Sequence, residues 1–341
     1  MPEPAPIVKV YDANDVALHA FLLRQGELVF ALDNTQIFSL KGENIIFGAA
    51  EVLYGLEHNT MDTRAISVYT RGGSTITDIP NTNLRKFITL YNIGYNITRV
   101  AARTVQKTNE LITSYNERFM QENNHSKKHY IKYFDIITAL EKMGKDREVP
   151  RVNAFVKLKK QTLAYRKGSL FAAKHKTFQS ILGRRIDDFK TEFSAGSVIC
   201  KQNDPAADLF VLNKGQIRVL LGSEEVAHID QPGSIFGEMS LFLNEPRSAT
   251  LVAASNTIVT VIGRESLPTI SGRMPEFFSR ITSTLWSRLK TNIEMIQAVK
   301  NLKPDSARTD LKELQNALTD FMKGERIFWI KSFINELDDA T

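Results

Sequence analysis

The segment GSIFGEMSLFLNEPRSATLVA, residues 233–253, decides the fold of the chain. Phe236 and Gly237 end one apolar run, and Glu238 precedes another, MSLFL. Because glycine adopts backbone conformations that other residues avoid, this order predicts a strand that bends sharply into a short helix. The turn sets two charged residues, Glu238 and Arg247, in an apolar setting.

The same turn predicts a binding site. The first backbone N–H groups of a helix have no partner within the helix, so they attract anions. An arginine a few residues further on can bind the same anion through charge-assisted hydrogen bonds. A carboxylate does not suit a phosphate, but it accepts a hydrogen bond from a sugar hydroxyl. With apolar strands to hold a flat base, Arg247 and Glu238 predict a nucleotide pocket.

Strand-like runs surround this segment. Between residues 198 and 262 the apolar residues form short β-branched runs separated by Gly, Asn, Asp or Pro, which predicts strands joined by tight turns. The runs are VIC, DLFVL, QIRVLL, EVAHI, SIF, ATLVA and TIVTVI. Seven or eight strands in about seventy residues predict a compact barrel or jelly roll. After Arg273 the pattern becomes helical.

The chain also contains an internal repeat. A shift of 189 residues superposes FVLNKGQI (210–217) on FLLRQGEL (21–28), and a shift of 183 then places Arg247 on Arg64. The other equivalent pairs are Val226 and Ile37, Ile229 and Leu40, Phe236-Gly237 and Phe47-Gly48, Val259-Thr260 and Ile76-Thr77, Ile262 and Ile79, and Leu267 and Leu84. Two copies of one β-domain, offset by a six-residue insertion, are therefore predicted.

The two copies differ in the segment that carries the pocket. Glu238 aligns with Ala49 and Pro246 with Thr63, so only the arginine is common to both. Arg64 without a glutamate is a relic, a structural hydrogen-bond donor or part of an altered anion site. We expect the first pocket to be silent.

The stretch FGEMSLFLNEPRSAT resembles the phosphate-binding cassette of cyclic nucleotide-binding domains, as in the bacterial catabolite activator family and the regulatory subunits of protein kinase A. The upstream residues Phe193, Gly196, Asp204-Pro205, Phe210 and Gly215 are spaced as in that family. The resemblance implies that Glu238 binds the ribose 2'-hydroxyl and Arg247 the cyclic phosphate. It also implies that Gly237, Met239 and Ser240 supply the cassette backbone. Ser248 favours cAMP, because receptors for cGMP often carry threonine there.

The resemblance extends into the following helix, where Asn292 corresponds to the position that touches the adenine. In the catabolite activator family this helix also forms the dimer seam. Leu285, Leu289, Asn292, Ile296 and Val299 follow steps of four and three, which indicates a short heptad stripe. A homodimer through residues 280–300 and packing of the stripe on the chain's own β-domain both remain open. Trp286 caps the base or, more simply, joins the core.

The middle of the chain is basic and helical. Residues 118–190 contain 18 Lys and Arg against 7 Asp and Glu, a local charge of +11 within a net charge of +6. Apolar residues recur there at helical spacing, which predicts mainly helices over residues 85–186, broken near Gly144 to Pro150 and near Gly168. A solvated helix face or a site for an acidic partner, nucleic acid or a membrane surface would explain the charge.

The composition excludes several classes of site. Cys200 is the single cysteine, so an internal disulfide is impossible, and it is most simply a small buried hydrophobe. His125 and His129 lie four apart in a polar run, which favours a solvated helix face over a metal pair. No nucleophile is paired with a base in the cassette, so we expect a receptor without a metal or cofactor rather than an enzyme. The absence of a long apolar run predicts no transmembrane segment and a cytoplasmic protein.

Together these features predict an α+β protein with two β-roll domains of the cyclic nucleotide-binding type. The predicted domains are a degenerate copy (1–84), a basic helical module (85–186), an intact copy (187–275) and C-terminal helices (276–341). The hypothesis is that cAMP, or cGMP, binds the second copy and that helix rearrangement signals to an effector protein not identified by the sequence. About forty residues follow residue 300, too few for the usual helix-turn-helix module, so DNA binding is disfavoured. A nucleotide-independent scaffold and nucleic-acid binding through the basic module are the alternatives.

Overall fold

The structure is a computed structural model that describes residues 6–118, 120–172, 180–181, 190–302 and 304–338. In chain order the strands are β1 (Ile7–Tyr11), β2 (His19–Leu32), β3 (Thr35–Phe47), β4 (Ser67–Arg71), β5 (Thr75–Pro80), β6 (Ser180–Ile181), β7 (Lys190–Phe193), β8 (Val198–Cys200), β9 (Asp208–Lys214), β10 (Ile217–Leu221), β11 (Glu224–Ile229), β12 (Ser234–Phe236), β13 (Thr250–Ala253) and β14 (Thr257–Gly263). All seven strand-like runs of the sequence form strands. The predicted mixed fold with antiparallel sheets is confirmed.

Helices lie within, between and after the two β-domains. They are α1 (Ala50–His58), α2 (Asn81–Phe87), α3 (Tyr91–Arg118), α4 (Met120–Asp146), α5 (Pro150–Lys159), α6 (Leu163–Ala172), α7 (Glu238–Leu243), α8 (Leu267–Arg273), α9 (Phe277–Lys300), α10 (Pro304–Glu325) and α11 (Lys331–Asp338). The chain divides into two compact units, residues 1–110 with 176–293 and residues 111–175 with 294–341. The first unit contains both β-domains, and the division falls inside α3 and α9.

The first β-domain is a five-stranded antiparallel sheet in the order β1-β4-β2-β3, with β5 also paired to β2. Its longest strands, β2 and β3, form a hairpin in which Leu32 pairs with Thr35. Asp33 and Asn34 fill the two-residue loop with positive φ angles of 49° and 61°. Such angles are typical of the turns that match the twist of a hairpin, and Asp and Asn tolerate them better than most residues do.

The second β-domain consists of two antiparallel sheets, ordered β11-β10-β13-β8 and β6-β12-β9-β14-β7. Apolar residues from both sheets form one buried core: Phe210, Leu212, Ile217, Ile229, Phe236, Leu251 and Val259. The two sheets therefore face each other across a hydrophobic layer, as the predicted jelly roll requires. The cassette helix α7 leaves this core directly after β12.

The second unit is helical, and its core joins α4, α5, α6, α10, α11 and the last turn of α9. The predicted break near Gly144 to Pro150 is present, because α4 ends at Asp146 and Pro150 begins α5. The predicted break near Gly168 is wrong, since α6 runs through that residue. A Cβ atom on Gly168 would overlap the carbonyl oxygen of Tyr130 on α4. This glycine permits close packing of two helices rather than ending one.

The tail forms α10, a 3₁₀ turn over Phe328–Ile330, and α11. Its apolar residues Leu311, Leu314, Leu318 and Ile330 lie in the core of the second unit. Phe328, by contrast, is 70% exposed. Residues two apart in a 3₁₀ turn point in different directions, which is consistent with a buried Ile330 and an outward-facing Phe328.

The apolar residues of the heptad stripe on α9 are buried within the single chain. Leu285 and Leu289 are buried in the first unit, and Ile296 and Val299 are buried in the second. The structure thus favours packing of the stripe on the chain itself over a homodimer seam through residues 280–300. Trp286 is also buried, and its indole N–H donates to the Asp62 carboxylate at 2.8 Å.

Candidate functional site

The second β-domain contains a cavity of about 330 Å³. This volume falls in the range of sites for small ligands, roughly 300–1,000 Å³. All seven residues predicted from the sequence line it: Gly237, Glu238, Met239, Ser240, Arg247, Ser248 and Asn292. Apolar residues of the two sheets, among them Val219, Ile229 and Leu251, form much of the remaining wall. The structure therefore gathers the predicted residues around one space.

The turn from β12 into α7 depends on Gly237. Its φ of 73° and ψ of 6° lie in the left-handed region, where a glycine costs little. A Cβ atom there would also lie 2.6 Å from Nη1 of Arg247. Asn244, again left-handed, ends α7 after six residues. The sequence FGE followed by MSLFLN thus fixes both ends of the short helix.

Arg247 is buried beside this turn, with only 4% of the residue exposed. Its Nη1 donates to the carbonyl oxygen of Gly237 at 3.1 Å, and its Nη2 forms an ion pair with Asp208 at the start of β9. The guanidinium carbon lies 4.8 Å from the centre of the Phe210 ring. A buried arginine requires such partners, because an unpaired buried charge is costly. Asp208 is the more accessible member of the pair, with 35% of its side chain exposed.

Glu238, the first residue of α7, is also buried and forms an ion pair with Arg288 on α9. This contact ties the cassette to the long helix. Arg288 lies one helical turn before Asn292, so both side chains reach the cavity from the same face of α9.

Asn292 on α9 forms hydrogen bonds with α3. Its Nδ2 donates to Thr108 Oγ1 and to Asn109 Oδ1, both at 2.8 Å. Val105 and Asn109 of α3 also line the cavity. The wall of the second domain's pocket therefore includes a helix that follows the first domain in sequence.

Sequence reasoning missed five residues of the site: Val105, Asn109, Cys200, Asp208 and Arg288. A signal existed only for Arg288, which lies four residues before Asn292 on one helix face. Cys200 is half-buried, as expected of a small hydrophobe, but it belongs to the cavity wall. Burial raises the pKa of its thiol, and the charge of Arg247 only partly opposes this. Cys200 is therefore a neutral thiol at physiological pH.

The first β-domain repeats the cassette geometry without its cavity. Gly48 is left-handed with a φ of 63°, and Arg64, 3% exposed, donates to the Gly48 carbonyl oxygen at 2.7 Å. Arg64 also forms a 2.6 Å ion pair with Glu51, a carboxylate on α1. Tyr11 lies over the guanidinium at 4.3 Å. The space left at this position is about 40 Å³, too small for a nucleotide.

Neither a metal cluster nor a membrane-spanning helix is present in the described ranges. No group of three His, Cys, Asp or Glu side chains there is arranged to hold a metal ion. The rings of His125 and His129 pack edge to face, with centroids 4.6 Å apart; His125 is exposed, but His129 is buried, so the predicted solvated face is wrong for His129. Among the helices in those ranges, none has the length and apolar character needed to cross a membrane.

Residues 190–271 match the family model described as the cyclic nucleotide-binding domain, which confirms the resemblance seen in the sequence. The cGMP-dependent protein kinase of Toxoplasma gondii is 35% identical over 88 residues, 26% of this chain and 9% of that protein. The cAMP-dependent protein kinase regulatory subunit of Debaryomyces hansenii is 33% identical over 125 residues, 35% of this chain and 26% of that protein. The regulatory domain of Toxoplasma gondii PKA, solved with cAMP, is 15% identical, with a TM-score of 0.23 over 81% of this chain and 82% of that chain.

The family match identifies a domain of the cyclic nucleotide-binding type over residues 190–271. The matches to the two relatives cover about a tenth to a quarter of those proteins' own length. The similarity therefore concerns one domain and leaves the activity of the whole chain to be inferred from its site.

Proposed function

We propose that this protein is a cyclic nucleotide receptor that binds one cyclic mononucleotide in the second β-domain and acts as a regulatory protein rather than as an enzyme. One observation carries the proposal. A cavity of about 330 Å³ is lined by a buried arginine, Arg247, and a buried carboxylate, Glu238, at the start of a short helix. These two groups match the single charge of a cyclic phosphate and a ribose hydroxyl.

Each of these two groups has a protein partner that a ligand would replace. A cyclic phosphate on Arg247 competes with the partly exposed carboxylate of Asp208. A ribose 2'-hydroxyl donating to Glu238 competes with Arg288. Each charged group of the site is thus already paired within the protein. A nucleotide binds by replacing Asp208 as the partner of Arg247 and Arg288 as the partner of Glu238.

The residues that line the cavity also determine the preference for the base. Ser248 lines the cavity, as does Asn292, the residue that the family resemblance places against the adenine. Both features favour cAMP over cGMP. The apolar residues of β10, β11 and β13 supply the flat surface on which a base can rest.

Signal transmission uses α9. Because Arg288 links Glu238 to this helix, a ligand that weakens the pair changes how α9 is held against the cassette. The helix continues to Lys300, beyond the division between the two units. A ligand shifts such an equilibrium only through its different affinity for the two arrangements. The helical unit is then the output that an effector protein reads.

Calorimetric titration of the full chain with cAMP, cGMP and a cyclic dinucleotide tests the proposal, with linear 5'-AMP as the control ligand. We expect one equivalent of cAMP, weaker cGMP and little heat from 5'-AMP, because one buried arginine suits one cyclic phosphate. Two equivalents would contradict a silent first domain. No heat and no thermal shift with any ligand would overturn the receptor and favour a nucleotide-independent scaffold.

If Glu238 binds the ribose 2'-hydroxyl, then replacing Glu238 and removing that hydroxyl should weaken binding through the same lost hydrogen bond. Glu238→Gln should lower the affinity for cAMP by roughly tenfold or more, because a charge-assisted hydrogen bond contributes about 1.5–3 kcal/mol. The wild-type protein should prefer cAMP over 2'-deoxy-cAMP by a similar factor, and the variant should largely lose that preference. Glu192→Gln, on an exposed position of β7, is the matched control. An unchanged preference in Glu238→Gln would show that the ribose lies elsewhere.

A further inference from the structure

The first and second halves of the chain contact each other through residues that are equivalent in the internal repeat. Asp62 accepts hydrogen bonds from Trp286 and Lys290 of α9, each at 2.8 Å. Glu245 accepts hydrogen bonds from Arg103, at 2.7 Å, and from Gln106, both on α3. The acids are 183 residues apart, and so are Arg103 and Trp286, the same shift that relates Arg64 to Arg247.

Such reciprocal contacts are typical of an isologous interface. In such an interface, residue i of one copy contacts residue j of the other, and residue j of the first copy contacts residue i of the second. Here the two surfaces belong to one chain, so α3 and α9 form an internal interface with approximate twofold symmetry. Asn109 and Asn292 are again 183 residues apart, and they bond to each other at 2.8 Å. A residue that contacts its own equivalent lies near the twofold axis.

This axis passes by the nucleotide cavity, because Asn109 and Asn292 both line it. Asn109 lies outside residues 190–271, the segment matched by the family model. We propose that the first half is retained as a built-in partner of the second, and that Asn109 on α3 is a specificity-determining residue that contacts the base together with Asn292. The inference rests on the proposed function and extends it.

The chemistry of the cavity supports this assignment. Arg247 and Glu238 are matched to the phosphate and the sugar, which leaves the base to meet the other polar groups of the wall. An amide oxygen has two lone pairs, so Asn109 Oδ1, which accepts a hydrogen bond from Asn292, can also accept one from the exocyclic 6-amino group of adenine. Two bonded amides hold each other in position, so the pair presents a fixed pattern to the edge of a purine.

The contact between Glu245 and α3 gives this helix a second task. Glu245 lies two residues before Arg247, so Arg103 and Gln106 hold the segment that carries the phosphate ligand. This contact is insensitive to the base, whereas a contact through Asn109 depends on it. The two roles of α3 can therefore be separated by experiment.

The test is titration of full-length Asn109→Ala with cAMP, cGMP and the cyclic monophosphate of purine riboside, which lacks the exocyclic group. We expect cAMP affinity to fall about five- to tenfold, as for the loss of one hydrogen bond, with little change for purine riboside. Arg103→Met should instead weaken all three ligands by a similar factor. Glu110→Gln, an exposed neighbour on α3, should change none of them.

The outcomes separate this inference from the proposed function. If the wild-type protein binds and Asn109→Ala has unchanged affinities, the receptor stands and the base contact is wrong. An equal loss for all three ligands in Asn109→Ala would also overturn the base contact, because it would indicate a structural role like that of Arg103. If the wild-type protein binds no cyclic nucleotide, both proposals fail together.

Discussion

Replacing Arg247 with alanine is expected to abolish binding of cyclic nucleotide at the second β-domain. The arginine is 4% exposed and lines the cavity beside the left-handed turn at Gly237. A phosphate drawn into this cavity without the guanidinium would lose its water and gain no opposite charge. Removing one partner of a buried charge pair costs about 3–5 kcal/mol, which corresponds to a loss of affinity of roughly 10²- to 10³-fold or more.

The variant must be separated from a misfolded protein. Arg247 also bonds to Gly237 and Asp208, so some loss of stability is expected, but Asp208 can turn to solvent because 35% of its side chain is already exposed. Arg247→Lys keeps the charge without the bidentate geometry and should bind weakly. Arg218→Ala, which removes a half-exposed arginine of β10, should bind as the wild type does. Unchanged affinity in a folded Arg247→Ala protein would disprove the site.

The parts of the site that the sequence predicts are those that neighbouring residues determine. Phe236, Gly237 and Glu238 fix the turn and the start of α7 within three positions, because a left-handed glycine is needed there. The strand runs are equally local, since their β-branched content and flanking turn residues define them. The offset of the internal repeat then identifies Arg64 in the first domain as the equivalent of Arg247.

The partners of these residues could not be predicted, because they arrive from distant positions. Asp208 meets Arg247 from 39 residues away, and Asn109 meets Asn292 from 183 residues away. Such pairs depend on how the sheets and helices pack, which no local pattern specifies. Gly168 shows the opposite error. Its residue type predicts a helix break, but packing against Tyr130 decides that it remains helical.

The first β-domain repeats the arginine contact of the cassette but gives the arginine a different carboxylate partner. Gly48, Arg64 and their hydrogen bond match Gly237, Arg247 and theirs. Glu51 supplies the negative charge to Arg64 from within the fold, at the position that aligns with Ser240. Tyr11 covers the guanidinium, and burial raises the pKa of its phenol well above the usual value, so it stays neutral. The Glu51 carboxylate thus pairs with Arg64 in the way that we propose for a cyclic phosphate on Arg247.

Removing that internal carboxylate should therefore destabilise the protein without creating a second nucleotide site. In Glu51→Gln the buried guanidinium of Arg64 would keep only neutral acceptors, among them the carbonyl oxygens of Gly48 and His19, at 2.7 and 2.5 Å. Loss of one member of a buried ion pair typically costs 3–5 kcal/mol, so we expect a fall of about that size in the free energy of unfolding. Trp286, which packs against this domain, reports the transition by fluorescence during denaturation.

A double-mutant cycle distinguishes this loss from general damage. Arg64→Met alone should be similarly unstable, whereas Glu51→Gln combined with Arg64→Met should be more stable than the sum of the two changes predicts, because neither charge is left buried. Glu110→Gln, which breaks an exposed pair with Lys107, should change the unfolding free energy by less than about 1 kcal/mol. Additive effects in the cycle would show that Glu51 does not act on Arg64. Folded Glu51→Gln should still bind one equivalent of cAMP, and a second equivalent would reveal that the carboxylate had been blocking a functional site.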